Sequence, residues 1–221
     1  MFRLLLAFSL AASFCLVRAD TAEAVLARMD KAAPSFKAMS ADVRMVTHTA
    51  VLNDNTVETG TFEMQKVKGK DVRAIMNLTE NGGRQLGFFG KVVRIYYANL
   101  NTYQDYSVGK NNLLNQYLLL GFGSSGKDLS HGYTITADGT EKIGDRMTTK
   151  LTLIPKDKAV LEHLTKVEVW IPNDAAYPVQ QKFYEPSGNS RTVTYSNVDV
   201  NPPIKGMLEM KLPPGAKKQQ Q

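Results

Sequence analysis

Cysteine is nearly absent from this 221-residue chain. Cys15 is the only one, and it falls in a leader that reads as removable. The chain can form no internal disulfide, and once the leader is gone it has no thiol nucleophile and no thiolate for a metal. Its stability must then come from a hydrophobic core, and about 200 residues suffice for one substantial domain. Histidine is also scarce. His48, His131 and His163 lie in separate segments, without metal-like spacing and without a partner that completes an acid–base or nucleophile pattern. These absences predict no cofactor, no metal and no enzymatic activity. Beyond the leader there is no apolar run close to the roughly 20 residues that span a bilayer.

What is present starts at residue 1. Arg3 precedes the apolar stretch Leu4 to Leu16, and Val17-Arg18-Ala19 ends it on a small residue, the pattern of a cleavable signal peptide over residues 1–19 with cleavage after Ala19. A run of about 13 residues is too short for a membrane anchor. Phe14 stands before Cys15 where lipid attachment requires a small residue, so no lipid anchor is expected. The predicted mature protein starts at Asp20 and is an exported, soluble monomer. Cleavage removes two of the 27 basic residues and none of the 21 acidic ones, leaving a mild charge of +4, which in an exported protein argues against nucleic acid as a partner.

Asp20 and Glu23 have the spacing of a reciprocal helix cap, and Val25, Leu26, Met29, Ala32, Ala33 and Phe36 recur at helical intervals, with an interruption expected near Pro34. From about residue 41 the period becomes two. Val43, Met45, Phe62, Met64, Val72, Met76, Leu86, Phe88, Val93, Ile95 and Tyr97 then take the same parity within successive strands, and turn residues such as Asn81-Gly82-Gly83 and Phe89-Gly90 separate them. These eleven residues are predicted to share one apolar surface lining a ligand cavity. Leu113, Leu114, Tyr117, Leu118 and Leu120 read as a short apolar helix. Gly123-Ser124-Ser125-Gly126 reads as a flexible joint after it, and strands resume from Tyr133 to Tyr195. With about ten or eleven strands and two or three helices, the expected architecture is mainly β: a long antiparallel sheet, curled into an incomplete barrel, with helices over one face. Residues 20–216 form its one domain, and 217–221 a frayed tail.

The remaining patterns are weaker. Ser124-Ser125 lacks the strand-to-helix setting of a nucleophile elbow. Lys66, Lys68, Lys70 and Arg73 could attract anionic headgroups, although a solvated turn explains them more simply. Asn77-Leu78-Thr79 matches a glycosylation acceptor, which matters only in a eukaryotic host.

Several segments, in order, resemble the bacterial periplasmic carriers of outer-membrane lipoproteins, the LolA-like family. Met39-Ser40-Ala41-Asp42-Val43 is similar to the family's lead-in to its first strand. Phe88-Phe89-Gly90-Lys91-Val92-Val93-Arg94-Ile95-Tyr96-Tyr97 resembles a later strand opening. Leu113 to Leu120 takes the place of the lid helix, and Val193-Thr194-Tyr195-Ser196-Asn197-Val198, Asn201-Pro202-Pro203-Ile204 and Leu212-Pro213-Pro214-Gly215-Ala216 look like the family's close.

The resemblance implies a carrier of lipoprotein acyl chains in an apolar cavity, working between an inner-membrane release complex and an outer-membrane acceptor. It implies a lid over the cavity bearing Leu113, Leu114, Tyr117 and Leu118. Lys66 only loosely matches the arginine that latches that lid, and Val72-Arg73-Ala74 reduces the family's arginine-rich strand. The alternatives are a lipid- or protein-sensing regulator of the same fold, like the RseB-type sensors, or an exported hydrolase.

Overall fold

The computed structural model describes residues 20–67, 72–107, 120–203 and 205–219. Helix α1, Ala22–Ala32, is capped by Thr21, whose side chain accepts from the Ala24 amide. This corrects the expected Asp20 cap. Asp20 instead pairs with Arg28, whose guanidinium also donates to the carbonyls of Ala175 (3.2 Å) and Pro172 (3.3 Å), so the cap passes to the neighbouring hydroxyl.

Twelve strands follow among the described residues: β1 Ala38–Thr49, β2 Asp54–Lys66, β3 Val72–Leu78, β4 Arg84–Phe89, β5 Val92–Tyr97, β6 Thr102–Ser107, β7 Tyr133–Ile143, β8 Arg146–Pro155, β9 Lys166–Pro172, β10 Gln180–Tyr184, β11 Ser190–Val200 and β12 Lys217–Lys218. They form one open sheet in the order β12-β6-β5-β4-β3-β2-β1-β11-β10-β9-β8-β7. All pairings are antiparallel except β12 with β6. Two meanders are thus joined where β1 meets β11, giving the incomplete antiparallel barrel that the alternating pattern predicted.

The turns explain the meanders. Asn81, Gly82 and Gly83 all have positive φ (54°, 86° and 77°), a path open mainly to glycine and asparagine, and they reverse the chain between β3 and β4. The first residues of the expected frayed tail are paired instead. The Lys217 amide bonds to the Asn101 carbonyl (3.0 Å) and the Gln219 amide to that of Tyr103 (2.9 Å), extending the β6 edge.

The segment read as a glycine–serine joint is in fact packed structure. Ser125 and Asp128 form a reciprocal capping box that starts helix α2, Gly126–Gly132. A Cβ on Gly126 would lie 2.4 Å from the Leu26 carbonyl oxygen, and one on Gly123 would lie 2.3 Å from the Phe36 ring. These glycines permit close packing of the chain on α1 and on Phe36. A third short helix, α3 Lys158–Leu161, joins β8 to β9.

All of this packs on the sheet's inner face. Val25 and Met29 of α1 join Leu129, Leu151, Leu153, Val167, Val169 and Ile171 in one buried cluster. A second cluster centres on Phe36, Met39, Phe62, Met64, Phe122 and Tyr195. Each such side chain contributes about 1.5–3 kcal/mol on burial. No helix among the described residues is long and apolar enough to cross a membrane.

Candidate functional site

The register puts all eleven predicted residues on the inner face. Val43 stands opposite Tyr195 and Met45 opposite Val193. Phe62 faces Met76, Met64 faces Ala74, and Val72 faces Lys66. Met76 then lies opposite Leu86 and Ala74 opposite Phe88, while Ile95 follows Leu86, Val93 follows Phe88, and Tyr97 follows Arg84. Residues directly opposite in an antiparallel pair point to the same side, so one apolar surface crosses six strands.

That surface is not uniform. Val43, Met45, Phe62, Met64, Val72, Met76 and Val93 are buried, and the first six pack with Phe36, Phe122, Val193 and Tyr195. Leu86, Phe88, Ile95 and Tyr97, on β4 and β5, are half-buried. The inner face therefore grades from a packed core at its centre to a strip of accessible apolar side chains towards the β6 edge. The predicted lid residues Leu113, Leu114, Tyr117 and Leu118 lie outside the described residues.

A polar clamp sits in the middle of the packed part. Phe62, Phe122 and Tyr195 form an aromatic triad, with centroids 4.9 Å apart for Phe122 and Tyr195 and 5.9 Å for Phe62 and Tyr195. The Tyr195 hydroxyl donates to Gln181 Oε1 at 2.8 Å, and Gln181 Nε2 donates to the Leu120 carbonyl. Gln181 is 1% exposed. Burial pushes the Tyr195 phenol far above its usual range, so it stays a neutral donor. The clamp fixes the chain at Leu120-Gly121-Phe122 onto β10 and β11.

A second polar pair lies at one end of the same face. Arg84 Nε and Nη2 donate to Glu58 Oε1 (2.9 Å) and Oε2 (2.6 Å), a bidentate geometry around a carboxylate that is 5% exposed as a residue. Sequence reasoning did not single out Gln181, Glu58 or Arg84. The signal was there: each shares the parity of apolar neighbours, Gln181 with Val179 and Phe183, Glu58 with Phe62 and Met64, Arg84 with Leu86 and Phe88.

Lys66 is found at the opposite end. Its side chain makes no hydrogen bond or ion pair among the described residues, and it lines a rim cavity of about 670 Å³ together with Gln65, Val72, Arg73, Phe89 and Met207.

Over β8, β9 and β10 the outer face is polar and interlocked. Glu168 accepts from Lys166 Nζ (2.9 Å) and the Tyr184 hydroxyl (2.7 Å) and pairs with Lys150 at 3.3 Å. Lys150 lies 5.3 Å from the Trp170 ring centroid. Burial alone would raise the Glu168 carboxyl, but these donors outweigh it and hold its pKa below the ordinary glutamate value.

No family model matches the sequence, and no curated protein matches it. The structure has clear counterparts. The lipoprotein LppX of Mycobacterium tuberculosis superposes with a TM-score of 0.50 at 20% identity, over 83% of this chain and 98% of LppX. The chain shares the fold of LppX. MucB also superposes at 0.50, with 14% identity over 88% of this chain, which spans 63% of MucB. A LolA superfamily protein from Nitrosomonas europaea aligns more loosely, at 0.38 and 16% identity, over 84% of this chain and 96% of its own. At these identities the likeness concerns the fold, and function rests on the site.

Proposed function

We propose that this protein is an exported, non-catalytic carrier that shields lipoprotein acyl chains against its inner face and takes them through the periplasm from an inner-membrane release complex to an outer-membrane acceptor. The observation that carries this reading is the half-buried strip Leu86, Phe88, Ile95 and Tyr97, continuous with a fully buried apolar core. Contiguous accessible apolar surface marks a binding site. An acyl chain gains about 0.8 kcal/mol for each CH₂ removed from water, so passage through an aqueous compartment needs a shielding surface and no bond chemistry. The fold supports the reading because an open sheet leaves one long face available without breaking its hydrogen bonds.

Native mass spectrometry of protein purified from its own periplasm tests this. Adducts with the mass of acylated peptides or lipids are expected, and they should transfer to acceptor membranes. Protein that carries no lipid and extracts none from vesicles would overturn the carrier.

A further inference from the structure

We propose that the rim cavity at the ends of β2, β3 and β4 is a binding site for the phosphate-bearing head of an anionic amphiphile. This goes beyond the lipoprotein cargo, whose acylated end bears no phosphate, and rests on the carrier reading only for the apolar strip that would hold the amphiphile's chain.

The cavity, about 670 Å³, falls in the size range of small-molecule sites. Two cations line it, Lys66 and Arg73. They stand on opposite faces of the sheet: Lys66 opposite Val72 on the inner side, Arg73 between Gln65 and Phe89 on the outer side. The cavity thus wraps the end of the sheet and joins its two faces.

Arg73 is held in place. Its Nη1 donates to the Leu208 carbonyl at 3.1 Å, its guanidinium carbon lies 5.6 Å from the Phe89 ring centroid, and Glu209, at 4.0 Å, is largely exposed. One of its five N–H groups is thereby used, and the planar fork keeps further donors for a tetrahedral oxyanion. Gln65 supports the same wall, donating to the Gly206 carbonyl (2.9 Å) and accepting from the Leu208 amide (2.8 Å). Lys66 is exposed and, among the described residues, unpaired, a point charge on a flexible stem.

Val72 links this site to the apolar face. It is 5% exposed and belongs to the inner core cluster, yet it also lines the rim cavity. Phe88, the half-buried member of the apolar strip opposite Ala74, is one step along the same face. An acyl chain lying over Phe88 and Leu86 would bring its head to the cavity where the two cations stand. Free phosphate offers the same oxyanion without the chain, so the two sources need separate arms in a test.

The test titrates the mature protein with a lysophosphatidic acid, with the monoacylglycerol of the same chain, which lacks only the phosphate, and with inorganic phosphate. Wild type should bind the lysophosphatidic acid about tenfold or more tightly than the monoacylglycerol, as charge-assisted hydrogen bonds require. Lys66→Gln should shrink that preference severalfold and leave monoacylglycerol affinity unchanged. Lys66→Gln with Arg73→Gln should abolish it. If the double variant does not fold, Lys66→Gln alone decides, since its side chain holds no structural partner among the described residues. Equal affinity for both lipids in wild type, or a preference that survives Lys66→Gln, overturns the headgroup site and leaves the carrier standing. Inorganic phosphate binding as tightly as the lysophosphatidic acid overturns the amphiphile assignment. Binding of neither lipid overturns the carrier and this site together.

Discussion

Gln181 binds Tyr195 and the Leu120 carbonyl at once, the hydroxyl donating to Oε1 at 2.8 Å and Nε2 donating to the carbonyl. This one buried amide therefore joins β10, β11 and the incoming chain. Gln181→Leu keeps the volume but strands two polar groups, each costing about 1–3 kcal/mol. We expect a loss of about 2–4 kcal/mol in urea unfolding. A variant as stable as wild type would show the clamp to be dispensable.

The grading of the inner face predicts unequal responses to charge. Met64 is fully buried, so Met64→Glu should prevent folding by burying an unpaired carboxylate. Leu86 is half-buried, and Leu86→Glu should leave circular dichroism and thermal unfolding close to wild type while abolishing binding of a fluorescent acyl probe. Retained probe binding by a folded Leu86→Glu protein would place the ligand elsewhere.

Glu168 sets a pH dependence. Its folded pKa lies below its unfolded value because its three donors outweigh burial, so its contribution is fully present above the unfolded value of about 4.3 and is lost as pH falls through the folded value. Wild type should exceed Glu168→Gln in urea midpoint at pH 7, and the gap should close below about pH 4. A gap of the same size at pH 3 would remove Glu168 as its source.

Two glycines of one helix should behave in opposite ways. Gly126→Ala pushes a methyl group against the Leu26 backbone and should cost about 1–3 kcal/mol. At Gly132 a Cβ meets nothing within 4 Å, so Gly132→Ala should be neutral or stabilising by up to about 1 kcal/mol. Paired thermal melts decide it, and equal effects at both sites would refute the packing role of Gly126.

The start of the mature chain is expected at Asp20. N-terminal sequencing of the exported protein should read Asp-Thr-Ala-Glu, and protein recovered from membranes with residue 1 intact would contradict cleavage after Ala19.

Most strands of the sheet and their inward faces are legible in the residues alone. The two-residue period is a local property, so Val43, Phe62, Met76, Leu86 and Ile95 can be assigned to one side without knowing their neighbours. The same period marks Gln181, Glu58 and Arg84 as polar residues at apolar positions, but what satisfies them depends on residues far apart in the chain, 61 for Gln181 to Leu120 and 26 for Arg84 to Glu58. Ser125 and Asp128 carry the local spacing of a capping box, whereas the close packing of Gly126 on Leu26, which makes the segment rigid structure and not a joint, joins residues far apart in the chain. Burial was likewise beyond local reading. Met64 and Leu86 have the same character and parity, and what separates a packed core from an accessible strip is the covering by Phe36 and Phe122, which arrive from elsewhere in the chain.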